Sequence, residues 1–340
     1  MSDTITTHRA APPTMRAVVV TRPGDLAALE VRDVPTPARE PGWVLIAVRA
    51  FGVNESEVTT RKGESDADVT YPRIPGIEGV GVVVNADPDS DLRPGQQVAT
   101  LMGGMGRSFD GSYAECVTVP ANQVIPFEST LPWETLGALP ETLQTAYGSL
   151  STGLDLQAGQ TLLIRGGTST VGLAAATLAK ELGATVIATT RHADRLDSLR
   201  AVGVDHPITD DGNIAATVRD LAPSGVDAAL ELVGCTALPD TLACVRIHGT
   251  TCFTGALGGA WTITDFNPFA IPKGVRLTSY AGDAGDLPPE VLQRQLEAIG
   301  AGRLTVPVAR TYRGLEQVPD AHAALESGRT TGKHVVVLDH

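Results

Sequence analysis

The turn Gly166-Gly167-Thr168-Ser169-Thr170-Val171-Gly172 has a composition that can hold phosphate. It follows a short apolar run of strand type, Thr161–Ile164, and leads into Leu173–Leu182, where apolar residues recur at helical spacing. Glycine lets a backbone approach closely, and the unpaired N–H groups of a helix N-terminus attract anions. Gly183 is predicted to cap the helix, and Thr185–Thr189 reads as a second strand. Together these pieces form a βαβ unit suited to a dinucleotide, with the diphosphate cradled by Gly167, Thr168, Ser169, Thr170 and Val171. The strict G-x-G-x-x-G spacing is absent, because Ser and Thr stand where glycines are usual. An ordinary tight βα turn accounts for the glycines, but not for the complete unit.

The chemistry of the second strand end is also readable. Sites that bind a ribose 2′-hydroxyl place Asp or Glu there. Ala188-Thr189-Thr190-Arg191 has no acid, whereas Thr190, Arg191 and Arg195 offer a hydroxyl and two positive charges suited to a 2′-phosphate. Two solvated arginines at a helix start are the plainer alternative. Leu232-Val233-Gly234 and Gly255-Ala256-Leu257 follow two later strands, at the end of an open α/β sheet where ligands bind.

The elements that must position these groups fall into two blocks. From Met15 to about Phe127, short strands joined by Pro/Gly turns predict a β-rich domain. Residues 138–282 alternate strand and helix, which predicts a doubly wound parallel sheet. Ala309–Tyr312 and His334–Leu338 are strands again, so residues 283–340 are expected to rejoin residues 15–137, with residues 1–14 as a mobile tail. The chain has 340 residues, 42% hydrophobic and 19% charged, as expected of a soluble protein. A net charge of −13 argues against nucleic-acid and anionic-membrane partners. No apolar run approaches a membrane span and no signal-peptide core opens the chain. Cys116, Cys235, Cys244 and Cys252 lack C-x-x-C pairing and read as buried thiols in a reducing cytoplasm.

Gly52-Val-Asn54, Pro75-Gly76-Ile77-Glu78-Gly79-Val-Gly81, Gly111-Ser-Tyr113-Ala-Glu115, Thr145-Ala-Tyr147, the glycine-rich turn and Gly332-Lys333 occur in one order along the chain. In this the sequence resembles the zinc-independent, quinone oxidoreductase-like branch of the medium-chain dehydrogenase/reductase superfamily. The resemblance implies a GroES-like β-rich catalytic domain joined to a Rossmann domain that binds NADPH. It also implies hydride transfer to a small molecule in the cleft between them, and a homodimer formed through the edge strand Val275–Tyr280. In zinc-dependent relatives a Cys stands at the place of Asn54 and a His at that of Ile77; neither replacement is a zinc ligand of comparable strength. The segment LMGGMGRSFDG, where those relatives carry a four-cysteine lobe, holds no Cys. No metal is expected.

Without a Lewis acid, a quinone or α,β-unsaturated carbonyl suits the reaction better than an alcohol, because it delocalises the incoming charge. An enoyl reductase for one intermediate and a low-turnover NADPH-binding sensor remain alternatives. Asn54 is expected to donate to the developing oxyanion, or else to support its loop as an Asx turn. By the resemblance, Thr145 bonds the carboxamide or substrate, unless it bonds back to its own turn. Arg61 could meet a polar substrate. The tyrosine that relatives carry after the Arg-x-Gly turn is replaced by Glu64 and Ser65, and Tyr71 could substitute for it or simply pack. Asn54, Thr145 and Lys333 are also expected to touch cofactor, as are Leu232–Gly234 and Gly255–Leu257. Trp261, Phe266 and Phe269 line a pocket or an interface. Glu231 and His322 are expected to be structural.

Overall fold

The computed structural model describes residues 12–65 and 68–339, so most of the expected tail, residues 1–11, lies outside the described residues. The chain divides into two units, Met1–Glu141 with Asp283–His340, and Thr142–Gly282.

The first unit begins with β1 (Thr14–Val19), β2 (Glu30–Pro35), β3 (Trp43–Val53), α1 (Glu55–Lys62), β4 (Glu78–Asn85), β5 (Gln97–Leu101), β6 (Cys116–Pro120) and β7 (Val124–Pro126). After the short α2 (Trp133–Leu136), α3 (Pro140–Gly148) carries the chain into the second unit. There follow β8 (Thr161–Arg165), α4 (Thr170–Leu182), β9 (Thr185–Thr190), α5 (Leu196–Ala201), β10 (His206–Thr209), α6 (Ala215–Leu221), β11 (Val226–Glu231), α7 (Leu238–Cys244), β12 (Val245–Phe253) and β13 (Arg276–Ser279). Back in the first unit lie α8 (Pro289–Gly300), β14 (Val308–Arg313), α9 (Val318–Glu326) and β15 (Lys333–Val337).

The first unit's large sheet runs β14-β15-β3-β4-β5-β7, with β6 also pairing β3; β1 and β2 form an antiparallel pair beside it. Its core is built from the inward faces of these strands, including Val44, Ile46, Val48, Val98, Val117 and Val336, with Phe51 stacked on Tyr113 at 4.6 Å. In the second unit the order is β10-β9-β8-β11-β12-β13, and every pairing is parallel. The chain winds outward from β8 through β9 to β10. It then returns to the other side of β8 for β11, β12 and β13. The switch point therefore falls between β8 and β11, where a doubly wound sheet opens its ligand crevice. Leu163, Ile187, Val218, Val226 and Ala229 pack part of this unit's core. All four cysteines are free; Cys116, Cys244 and Cys252 are buried as expected, whereas Cys235, in the loop after β11, is half-exposed, and burial pushes the Cys116 thiol up to about 11 and that of Cys244 to about 12, which keeps those two inert.

Three local elements differ from the sequence expectation. The stretch after Asn54, read as a loop, is the helix α1, started by Glu57 reaching back to the Asn54 N–H at 3.0 Å. The strand β10 is an edge strand of four residues containing Pro207, too short and polar to register as a strand in the pattern. Thr142–Leu154 reads from its sequence as one helix; the helix instead begins at Pro140 and widens into a π-turn at Ser149–Gly153. There the Ser149 hydroxyl donates back to the Thr145 carbonyl at 2.6 Å and lies 2.9 Å from that of Thr254.

Candidate functional site

In the second unit, α4 begins at Thr170, with the Ser169 hydroxyl accepting from the Gly172 N–H at 3.0 Å. That bond folds the turn tightly onto the helix. A Cβ on Gly172 would meet the Gly166 carbonyl oxygen and the Gly167 backbone, and Gly166 adopts φ +85°. The Gly167 N–H is used by the Thr189 carbonyl and the Ser169 N–H by that of Gly166. The backbone N–H groups of Thr168, Thr170 and Val171 have no acceptor among the described residues and belong to half-exposed residues. Three such donors at the start of a 13-residue helix fit a diphosphate.

The other strand ends gather around this turn. Glu231, fully buried at the end of β11, accepts from the Val233 N–H at 2.6 Å, the Gly234 N–H at 2.9 Å and the Thr241 hydroxyl. Burial raises its pKa, and the structural role expected of it is the one its contacts describe. The Leu257 and Gly258 N–H groups donate to the Leu232 and Val233 carbonyls, joining the loops after β11 and β12. Leu232, Val233 and Leu257 are also the neighbours that a Cβ on Gly166 would touch. Thus Gly167–Val171, Leu232–Gly234 and Gly255–Leu257 come together at the carboxyl ends of β8, β11 and β12.

At the end of β9, Arg191 is exposed and Arg195 half-exposed. Thr190 is buried, its hydroxyl 3.4 Å from that of Thr168 and accepting from the His192 N–H at 3.3 Å, so it braces the turn. One carboxylate does approach this strand end. Asp210 accepts from the Thr189 hydroxyl at 3.2 Å, but both its oxygens are taken by the buried Arg165 fork at 2.9 and 3.0 Å. Arg165 also donates to Asp240, Ala237 and Thr241, tying β8 to α7. Sequence reasoning missed Arg165; a charged residue closing an apolar strand was its only signal.

In the first unit, Lys333 is 4% exposed and forms ion pairs with Glu78 at 2.8 Å and Glu141 at 2.9 Å. Its ammonium also donates to the Asn54 side-chain oxygen. That contact fixes the Asn54 amide, whose nitrogen donates to Glu78 at 3.1 Å and approaches Glu57 at 3.4 Å. Glu78 further accepts from the Glu141 N–H at 2.9 Å, and Glu57 from the Ile77 N–H at 2.9 Å. Lys333 thus pairs with two carboxylates, and Asn54 links this pair to a third, Glu57. Burial drives the Glu57 carboxyl up to about 7, against the lowering effect of the Ile77 N–H. Despite desolvation, the Glu141 and Glu78 carboxylates raise the Lys333 pKa above its ordinary value. Gly52 makes room for this cluster, since a Cβ there would overlap the Glu78 carboxylate and the Lys333 stem.

Several expected roles change accordingly. Lys333, expected at the cofactor, is committed to Glu78, Glu141 and Asn54. Asn54 is a member of this network, its amide engaged by Lys333, Glu78 and Glu57, and not an unengaged donor. Arg61 is 1% exposed and forms a two-pronged pair with Glu326 at 3.0 Å for each prong, so it is closed to substrate. The pair holds the Glu326 carboxyl down at about 2. Tyr71 packs against the unit's core and donates its hydroxyl to the Thr60 carbonyl, which removes it as a substitute acid. His322 is fully buried between Arg61 and Tyr113, with the Tyr113 hydroxyl 3.0 Å away, and burial pushes it down to about 3. Thr145 donates its hydroxyl to Gln144 at 3.2 Å. Trp261, Phe266 and Phe269 are all exposed, with Trp261 edge-on to Phe253 at 6.3 Å.

Among the described residues no three His, Cys, Asp or Glu side chains are grouped to hold a metal ion, and no helix is long and apolar enough to cross a membrane.

Residues 40–129 match the model of the alcohol dehydrogenase GroES-like domain, and residues 170–296 that of the zinc-binding dehydrogenase. Prostaglandin reductase-3 of Mus musculus is 30% identical over 355 aligned positions, covering 97% of this chain and 91% of the relative. The chain belongs to the medium-chain dehydrogenase/reductase superfamily, in its quinone oxidoreductase-like branch. A protein named "Probable quinone oxidoreductase" from Leishmania amazonensis is 26% identical, covering 92% of this chain and 94% of that one. The native structure of mycobacterial Rv1454c complexed with NADPH superposes with a TM-score of 0.81 at 27% identity, covering 95% of this chain and 99% of that one. The protein is thus an oxidoreductase of a family that binds a nicotinamide cofactor. The two units are its GroES-like and Rossmann-like parts. The zinc in the matched model's description finds Asn54 and Ile77 where the resemblance puts ligands.

Proposed function

We propose that this protein is a metal-independent, NADPH-dependent reductase that transfers hydride to a quinone or an α,β-unsaturated carbonyl. The reading is carried by the replacement of the ligand pair alongside an intact dinucleotide cradle. Asn54 is bound into the Lys333–Glu78 network and Ile77 has no donor atom, so neither position can serve as a strong zinc ligand. An acceptor that spreads the incoming charge through its own conjugation then fits best, needing only hydrogen-bond donors. The relatives named for quinone and prostaglandin reduction support the same class.

Bound NADPH would supply the hydride. The N–H groups of Thr168, Thr170 and Val171 would hold its diphosphate. Preference for the 2′-phosphate is supported by the β9 end: Asp210, bonded to Thr189 there, is held by Arg165, and the exposed Arg191 together with Arg195 would supply charge. We place the protein in the cytoplasm, where its four thiols stay reduced, as a homodimer paired along the β13 edge.

The test is loss of NADPH absorbance with a panel of quinones and enones, run with chelator and repeated with NADH. Saturable turnover unaffected by chelator is expected, with NADPH preferred. A reduced carbon–carbon bond in the enone product would specify enoyl reduction. Tight NADPH binding without turnover of either class would favour the sensor alternative, and abolition by chelator would overturn metal independence.

A further inference from the structure

Arg107, in the loop that follows β5, is a cation without an anion. It is half-buried, and its guanidinium donates to the Ser56 hydroxyl on the first turn of α1. Among the described residues no carboxylate pairs with it, and its buried Nε has no acceptor. The acid in the same loop, Asp110, is taken by Arg73 at 2.8 Å. A charge drawn out of water is ordinarily paired, so this one is placed for something the chain itself does not contain.

The loop fixes where Arg107 stands. The Met102 N–H donates to the Ile77 carbonyl at 2.7 Å, and the Arg107 N–H to that of Gly104 at 3.1 Å. Gly106, at φ +75°, lies so close to Gly76 that a Cβ there would overlap the Gly76 backbone. Arg107 therefore starts beside Gly76-Ile77 and ends at Ser56, two residues past Asn54. It spans the two positions, Asn54 and Ile77, where the resemblance puts metal ligands. All of these residues belong to the first unit. A hydroxyl has one proton and two lone pairs. Ser56, having accepted from Arg107, keeps its proton for another acceptor, and no described residue takes it. Asn54 has no such freedom, since Lys333 holds its oxygen and Glu78 its nitrogen. With Glu57 and Glu78 bonded to Asn54, an oxygen that gains negative charge here needs a positive group facing it.

We infer that Arg107, assisted by the Ser56 hydroxyl, is the catalytic donor that stabilises the oxyanion of the acceptor. Hydride arriving at one end of the conjugated system drives its π electrons to the carbonyl oxygen at the other end. The guanidinium and the hydroxyl hold that oxyanion until water protonates the product. The nicotinamide is oxidised, and the acceptor reduced, by the same two electrons. The inference rests on the reductase reading above.

The test is steady-state turnover with NADPH and two uncharged acceptors, menadione and benzylideneacetone, with NADPH affinity followed by calorimetry. Arg107→Ala should lower kcat about 100–1,000-fold for both acceptors, the span of one oxyanion donor, and leave NADPH affinity unchanged. Free guanidinium should restore part of the lost kcat by occupying the vacated place, where sodium chloride does not, and Arg107→Lys should retain part of it. Ser56→Ala should cost less, about 10-fold. An unchanged kcat in Arg107→Ala, or a loss that neither guanidinium nor Arg107→Lys restores, overturns the inference and leaves the reductase reading intact. So does a loss confined to an acceptor bearing a carboxylate, benzoylacrylate, which would make Arg107 a reader of substrate charge. Failure of the intact protein to turn over either uncharged acceptor overturns both.

Discussion

Replacing Lys333 with Met removes the cation that pairs with Glu78 and Glu141 in a buried group that also contains Glu57. Lys333 is 4% exposed and Glu78 fully buried, so water cannot compensate for the ion pairs at 2.8 and 2.9 Å. Breaking a buried pair from one side costs about 3–5 kcal/mol, because the remaining charge is left without a partner. Protons can take the place of the missing ammonium. The carboxylates of the variant should therefore have raised pKa values, and its stability should fall as pH rises. Urea unfolding followed by circular dichroism should give a deficit of about 3–5 kcal/mol at pH 8, shrinking to about half that at pH 5. Adding Glu141→Gln to the variant should recover part of the loss at pH 8. A deficit under about 1 kcal/mol at pH 8, the range of an exposed pair, would refute the reasoning. So would a deficit that grows on acidification.

Three further outcomes follow from individual contacts. His322, pushed from 6.5 down to about 3, is neutral in the folded state; its contribution is full above pH 6.5 and is lost as pH falls toward 3. The intact protein should thus show an acid slope, about 5 kcal/mol in total, that His322→Gln lacks in urea unfolding across that range. Gly52→Ala forces a Cβ into the Glu78 and Lys333 side chains and should cost about 1–3 kcal/mol, read as a lower unfolding midpoint with unchanged far-ultraviolet dichroism. Removing both Arg191 and Arg195 as alanines should weaken NADPH binding at least about tenfold and leave NADH nearly unchanged, with the gap closing at high salt.

The local patterns carried much of this protein. Apolar runs bounded by Gly and Pro located most strands, because alternation and turn chemistry act within a few residues. The glycine-rich turn was legible for the same reason: Gly166 and Gly172 sit where a left-handed φ or a close backbone approach is required. The helix α1 could have been found too, since Asn54 followed by Glu57 three residues later is a helix-start signature. What the sequence could not give was the partner of each charge. Glu78, Glu141 and Lys333 are separated by up to 255 positions, and only the stacking of β15, β3 and β4 brings their side chains together. The same holds for Arg61, which meets Glu326 on α9 and so is an ion-pair anchor rather than a substrate contact. The order of residues determined local conformation and the dinucleotide cradle. Tertiary structure alone decided which polar groups are left available for chemistry, because burial makes each of them find a partner, and partners are chosen by proximity in space.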